Sequence, residues 1–314
     1  MKKFIINLAK FGVITLVIYV ALTIVWGSYF PSKYAKNLKY PLGNSGYLLT
    51  RLKEAQKTKD IDILFIGSSH AYRGYDVRIF RQHGFTAFNL GSSAQTPTQT
   101  KLLLDDYIDR LNPKFVVFDI NPKLFGGDGV ESSLDLIANS KMNADLVKMV
   151  FQIKNITLIN AFIYSGFRQA LGLNDNFKQK ETPGDKYIPG GYVESLKHSV
   201  DADGIAEQPF EDDVLSENQM TAFNDIISEL KKREIDYVLV QAPIVEKRYK
   251  AVKNNREIDS TFSRYGHYYN FNKIIKLSDS AFYDQSHLNQ YGVNQFNSKL
   301  LALLKKDIYT AVKE

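Results

Sequence analysis

Ile61-Asp62-Ile63-Leu64-Phe65-Ile66-Gly67-Ser68-Ser69-His70 is an apolar run that stops abruptly at a glycine and two serines. A short run rich in isoleucine and aromatics, with little alternation, reads as a strand buried on both faces. Gly-Ser-Ser reads as the turn that ends it. The pattern recurs along the chain. Ala87-Phe88-Asn89-Leu90 runs into Gly91-Ser92-Ser93, Phe115-Val116-Val117-Phe118-Asp119-Ile120 into Asn121-Pro122, and Tyr237-Val238-Leu239-Val240 into Gln241-Ala242-Pro243. Helical spacing of apolar residues marks 47–57, 100–111, 217–233 and 291–306, and a longer stretch over 142–171. Strands of this kind alternating with helices predict an α/β fold, its parallel sheet covered on both faces. In such sheets ligands bind beyond the carboxyl ends of the strands, so chemistry is expected at these four turns.

Outward from that core, residues 11–32 form 22 consecutive positions without a charge, preceded by Lys2, Lys3 and Lys10 and holding Trp26 and Tyr29 near their end. About 20 apolar residues suffice to cross a bilayer, and the aromatics sit where an interfacial belt would lie. The expectation is a membrane anchor over 1–32. A cleaved signal peptide shares the charged start, but the run exceeds an h-region of about 7–15 residues and no A-x-A-like site follows. A soluble buried helix would carry its apolar residues on one stripe rather than all round. Residues 33–57 read as a juxtamembrane segment and 58–314 as the main domain, with 126–216 as an insertion and a candidate cap. Lys33, Lys36 and Lys39 follow the anchor, so positive charge alone does not orient it.

Composition narrows the chemistry. A hydrophobic share of 44% is enough to build a core. The chain has no cysteine, which removes disulfides, thiolate metal sites, iron–sulfur clusters and cysteine nucleophiles. Of the net charge of +6, half lies on Lys2, Lys3 and Lys10. The remainder is small for a domain of this size, and no Gly-rich phosphate motif occurs, so nucleic-acid and nucleotide partners are not expected.

Two places can carry catalysis. Ser69 follows the first strand, where a strand-to-helix turn can lift a hydroxyl into the crevice; an ordinary turn or N-cap reads the same way. Asp284-Gln285-Ser286-His287 sets a carboxylate three residues before an imidazole, so that one ring nitrogen can be held and the other left to take a proton. An N-capping aspartate beside a solvated histidine is the plain alternative. A metal held by His70, Asp284 and His287 is a third reading, unsupported by any familiar ligand spacing.

Together these features resemble the SGNH (GDSL-like) hydrolase family. Ile66-Gly67-Ser68-Ser69-His70 is similar to its first block, Gly91 to the glycine of its second, and Asp284-Gln285-Ser286-His287, with Leu288-Asn289-Gln290-Tyr291-Gly292, to its last. The resemblance covers about residues 58–125 and 232–305. The sequence departs from it at Ser68, where the family has aspartate, and at Asp119-Ile120-Asn121-Pro122, where the Gly-x-Asn-Asp block is absent. These departures, with the anchor, look like the envelope branch that includes the teichoic-acid D-alanine transfer protein and periplasmic polysaccharide O-acetyltransferases and esterases.

The resemblance implies a three-layer α/β/α, flavodoxin-like fold and acyl transfer through an acyl-serine. Ser69 would be the nucleophile, His287 the base and Asp284 its orienting partner. The amides of Ser69 and Gly91 and the Asn121 side chain would form the oxyanion hole, and His70 would line the pocket. No cofactor or metal is implied. The implied substrate is an acyl group, O-acetyl foremost, on a cell-envelope glycan, met on the extracytoplasmic side of a bacterial cytoplasmic membrane; a multispanning membrane acyltransferase is a further implied partner. The alternative is a catalytically inactive relative that binds or assembles polysaccharide. Tyr164, Phe167, Phe177, Tyr187 and Tyr192, in the insertion, are either sugar-stacking residues or that insertion's own core.

Overall fold

The computed structural model describes residues 1–199 and 209–313. The chain forms two compact units, each made from two separated stretches. The larger contains Gly43–Ser132 and Gln179–Glu314, the smaller Met1–Leu42 and Ser133–Lys178.

The larger unit is built on a five-stranded, wholly parallel sheet. Its strands are β1 (Ile63–Ile66), β2 (Ala87–Asn89), β3 (Phe115–Asp119), β6 (Asp236–Gln241) and β7 (Tyr268–Asn270). They lie in the order β2-β1-β3-β6-β7. Every residue of β1, β2 and β3 is buried, which is why these strands lack polar alternation. The order reverses between β1 and β3, the arrangement of flavodoxin-like sheets, and so places a topological switch point beside the turn after β1. The expected α/β architecture with a parallel sheet is what the chain adopts.

The helices of this unit are α2 (Leu48–Ala55), α3 (Ser69–Gly74), α4 (Val77–Gln82), α5 (Pro97–Leu111), α6 (Pro122–Phe125), α10 (Glu217–Lys232), α11 (Glu246–Ala251), α12 (Asn255–Phe262), α13 (Phe271–Ile274) and α14 (Gln290–Lys313). α5 starts three residues earlier than the apolar spacing indicates. Thr96 and Gln99 close a capping box there, and Pro97 occupies the first turn, where its missing N–H costs nothing. A core of Phe65, Phe80, Phe271, Phe296 and Leu300 packs β1 against α4, α13 and α14.

Two features were not legible as strands. β7 has only three residues, Tyr268-Tyr269-Asn270, too few to show a period. The turn-rich stretch around Pro189 forms an antiparallel hairpin, β4 (Asp185–Ile188) with β5 (Tyr192–Ser195). Gly190 O accepts from the Asn89 amide at 2.8 Å, which docks this hairpin on the β2 edge. Its turn comes so near that a Cβ on Gly191 would lie 2.3 Å from Asn89 O.

The smaller unit holds α1 (Lys2–Tyr29), α8 (Ala144–Ile153) and α9 (Ile156–Ala170), with most of α7 (Val130–Asn139). α1 is long and apolar enough to cross a membrane, a test that a signal sequence also passes. The predicted helix over 142–171 is interrupted at Lys154, whose left-handed backbone (φ 54°) ends α8, and Asn155 caps α9 by accepting from the Thr157 amide. The aromatics considered for sugar stacking are mostly packed. Tyr164 is buried with Ala35 and Leu38, Tyr192 is 1% exposed in the sheet core, and Tyr187 donates its hydroxyl to Glu54. These three are packed, but mainly against residues outside 126–216 rather than within the insertion's own core.

Candidate active site

The site begins where β1 ends. Gly67 has φ +136°, and a Cβ there would lie 2.8 Å from Asp119 O and 2.9 Å from Asp119 Cβ. Only glycine lets the chain turn so closely over the neighbouring strand. Ser68 then caps α3, its Oγ accepting from the His70 amide at 3.3 Å. Ser68 thus takes the capping role to which an aspartate at this turn is equally suited. Ser69 opens α3; its amide belongs to the first turn and has no helical acceptor, and no hydrogen bond links it to any described residue.

The last block folds into a tight return. Tyr283 N donates to His287 O at 3.0 Å, and Asp284 Oδ1 accepts from the amides of Ser286 (2.7 Å) and His287 (2.8 Å). The same carboxylate meets His287 Nδ1 at 2.8 Å and 3.0 Å, and His287 Nε2 lies 2.8 Å from Ser69 Oγ. Burial alone would raise the Asp284 pKa, but the imidazole and the two amides outweigh it and hold it down at about 2. An ionised Asp284 needs a proton on Nδ1, which leaves Nε2 as a lone pair facing the serine hydroxyl. Ser69 is thus hydrogen-bonded in series with His287 and Asp284, which lie more than two hundred residues further along the chain.

Neighbouring groups fix the imidazole. Tyr283 stacks on His287 with ring centroids 5.6 Å apart and planes 8° from parallel, while His70 meets it edge-on at 5.3 Å. Arg73 approaches the Tyr283 ring at 5.9 Å and grips Asp185 through both guanidinium nitrogens, at 2.8 and 2.7 Å. Burial, and then the charges of His287 and Arg248, push the His70 pKa down to about 3, so this ring is neutral at physiological pH. It lines a cleft whose walls include Asn121, Lys123, Gln241, Arg248 and Tyr249.

The oxyanion donors expected from the resemblance are placed differently from one another. The Ser69 amide is open, and the Asn121 side chain, at the start of α6, lines the cleft with no hydrogen bond to a described residue. Gly91 corrects the expectation. Its N–H already donates to Asn89 Oδ1 at 3.0 Å, while Asn89 Nδ2 donates to Ala71 O at 2.7 Å. In Asn89-Leu90-Gly91 the side-chain amide closes an Asx turn and takes the donor. Gly91 O is held in turn by Arg51 Nη1 at 2.8 Å.

What requires glycine at 91 is space: a Cβ would stand 2.7 Å from Ser68 O and 2.9 Å from Tyr72 N. Gly91→Ala is expected to cost about 1–3 kcal/mol by overpacking and to lower turnover by displacing the Ser69 turn. A thermal melt and ester assay matching the parent protein would contradict this.

Arg51 and Tyr283 were not legible as site residues. Arg51 is fully buried, bound to the carbonyls of Gly46, Gly91 and Gly191, yet an arginine on an amphipathic helix ordinarily reads as a solvated position. The aromatic just before Asp284-x-x-His287 was the one available signal for the stacking partner.

Beneath the Gly67 turn, Asp119 is 2% exposed, and its Oδ1 accepts from the Tyr75 hydroxyl at 2.9 Å. Burial pushes its pKa up to about 7 despite that bond and the Ala242 backbone amide. Between about pH 4 and 7 the native state therefore binds the proton that the unfolded chain has released, so stability falls as pH rises through this window. Asp119→Asn is expected to flatten that limb in denaturant titrations; an unchanged slope would contradict it.

Among the described residues no group of three or more histidine, aspartate or glutamate side chains is placed to hold a metal ion. Models of known protein families find no match in this chain, and no curated protein matches it. Solved structures with a similar path include a GDSL-like lipase from Bacteroides thetaiotaomicron, 14% identical over 85% of this chain and 98% of that one, TM-score 0.42. Another, assigned as an acylhydrolase, comes from Bacteroides fragilis, with 11% identity over 82% and 95% of the two chains and TM-score 0.41. Likeness of this order leaves the chemistry to be read from the site itself.

Proposed function

We propose that this chain is a serine esterase or O-acyltransferase, anchored by α1 with its larger unit on the extracytoplasmic face, acting on acyl groups of cell-envelope glycans. The observation that carries the proposal is the series Ser69 Oγ, His287 Nε2, His287 Nδ1, Asp284, every link at 2.8 Å. That is the arrangement an acyl-transfer nucleophile needs: a hydroxyl, a base within hydrogen-bond reach, and a third group fixing the base's tautomer.

In the proposed reaction Ser69 Oγ attacks the ester carbonyl and its proton passes to His287 Nε2. Charge developing on the carbonyl oxygen is met by the Ser69 amide and the Asn121 side chain; losing one such donor typically costs about 10²–10³ in rate. The tetrahedral adduct collapses as His287 returns the proton to the departing alcohol, leaving acyl-Ser69. A water or a sugar hydroxyl then enters, gives its proton to His287 and takes the acyl group, and Ser69 recovers its proton. Asp284 stabilises the imidazolium that forms in each half.

Esterase and transferase differ only in that second acceptor. The test supplies p-nitrophenyl acetate with an oligosaccharide acceptor to the full chain in detergent. Nitrophenol release with the acetyl group found as acetate indicates an esterase, and on sugar a transferase. No nitrophenol release above the background rate would overturn both.

A further inference from the structure

α1 is covered by its own unit over only part of its length. Residues 1–18 are exposed, and from Tyr19 onward the helix meets α9 and the segment that follows α1. The Tyr19 hydroxyl bonds Asn160 Oδ1, Thr23 is buried, and Gly27 lies against the Tyr164 ring. Contacts therefore advance along both helices together, so α9 runs in the same direction as α1. The α8–α9 turn at 154–155 lies beyond Asn160 toward the N-terminal end of α1.

Depth follows from length. A span of about 20 residues begun at Lys2, the earliest start α1 allows, ends at Ala21. Tyr19 is then already inside the hydrocarbon boundary, and the α9 N-terminus, four residues below Asn160, lies about 6 Å deeper. Any later placement, such as one that leaves Lys10 outside, sinks the hairpin further.

The turn is dressed for that depth. α8 buries Leu146, Met149 and Val150 and leaves a second apolar stripe, Val147 and Phe151, uncovered. Phe151 is 62% exposed and Ile156, across the turn, 51%. Lys148 and Lys154 are exposed beside them, on stems long enough to carry their charges up to headgroups. An apolar edge flanked by lysines, at the level where a spanning helix leaves the bilayer, fits an interfacial element buried about 5–10 Å.

We propose that the α8–α9 hairpin is a second membrane contact, with Phe151 and Ile156 among the acyl chains of the leaflet at the C-terminal end of α1 and Lys148 and Lys154 against lipid phosphate. This rests on α1 spanning the membrane.

The chain's lack of cysteine makes the test direct. Single variants Phe151→Cys, Val17→Cys on α1 and Lys231→Cys on α10 are labelled with an NBD fluorophore. The full chain is reconstituted in phosphatidylcholine–phosphatidylglycerol vesicles with or without shallow doxyl-labelled lipid. The expected result is loss of emission to doxyl lipid at 17 and 151, with shielding from aqueous iodide, and the reverse at 231. Lipid quenching at 17 with iodide quenching at 151 would overturn the hairpin contact while leaving the anchor standing. A label at 151 shielded from both quenchers would mean a protein contact and would also overturn it. Iodide quenching at both 17 and 151 would remove the span and the hairpin contact together.

Discussion

Ser69→Ala is expected to abolish ester turnover while leaving the melting temperature within a few degrees of the parent's. Among the described residues the hydroxyl makes one hydrogen bond, to His287 Nε2, the base that would activate it toward an ester carbonyl. In serine hydrolases, removing a member of the triad leaves only the residual acceleration from binding and the oxyanion hole. The Ser69 amide and the α3 first turn survive the change, because the cap is Ser68 Oγ rather than Ser69. Loss of turnover with a retained melt therefore isolates the nucleophile. Turnover near the parent rate would mean that the reaction runs elsewhere.

The second large effect is expected at Asp284. In Asp284→Asn the side-chain oxygen can still accept from the Ser286 and His287 amides, so the return between Tyr283 and His287 keeps its form. The change removes the charge that fixes a proton on His287 Nδ1, and a wrong tautomer leaves no lone pair for Ser69. The expected loss in kcat is up to about 10⁴-fold, the size such a substitution has in serine proteases.

The carboxyl's pH signature separates this from a folding defect. Its native pKa of about 2 lies below the ordinary aspartate value, so its contribution to stability is present above about pH 4 and fades as pH falls toward 2. Denaturant titrations should show that acid limb weakened in the Asn variant, whose stability is lower than the parent's at neutral pH and converges on it toward pH 2, while kcat at neutral pH falls far beyond what the unfolded fraction accounts for. Equal kcat in the two proteins would contradict the role given to Asp284.

The sheet was legible because its central strands are buried on both faces: Ile63-Leu64-Phe65-Ile66 and Phe115-Val116-Val117-Phe118 cannot be amphipathic and still pack there. β7 and the β4–β5 hairpin were not, since three or four residues give no period and Pro189-Gly190-Gly191 reads as loop. At the site, Asp284 and His287 lie within one turn, so their spacing alone brings them together. The approach of Ser69 to His287 is a property of the whole sheet, and only the resemblance anticipated it. The Gly91 amide shows the limit of motif reading: the glycine stands where the pattern expects it, but the Asn89 side-chain oxygen, two residues before, accepts its hydrogen bond. Arg51 binds one carbonyl five residues before it and two others 40 and 140 residues away, so its role has no signature in the local sequence.

The measurement that bears most directly on the central claim is the intact mass of the full chain after incubation with a fluorophosphonate, beside the Ser69→Ala protein. The expected result is a single adduct on the parent protein, retained on Ser69 after digestion, and none on the variant. An unmodified parent protein with a normal melt, or an equal adduct on both, would contradict an activated Ser69.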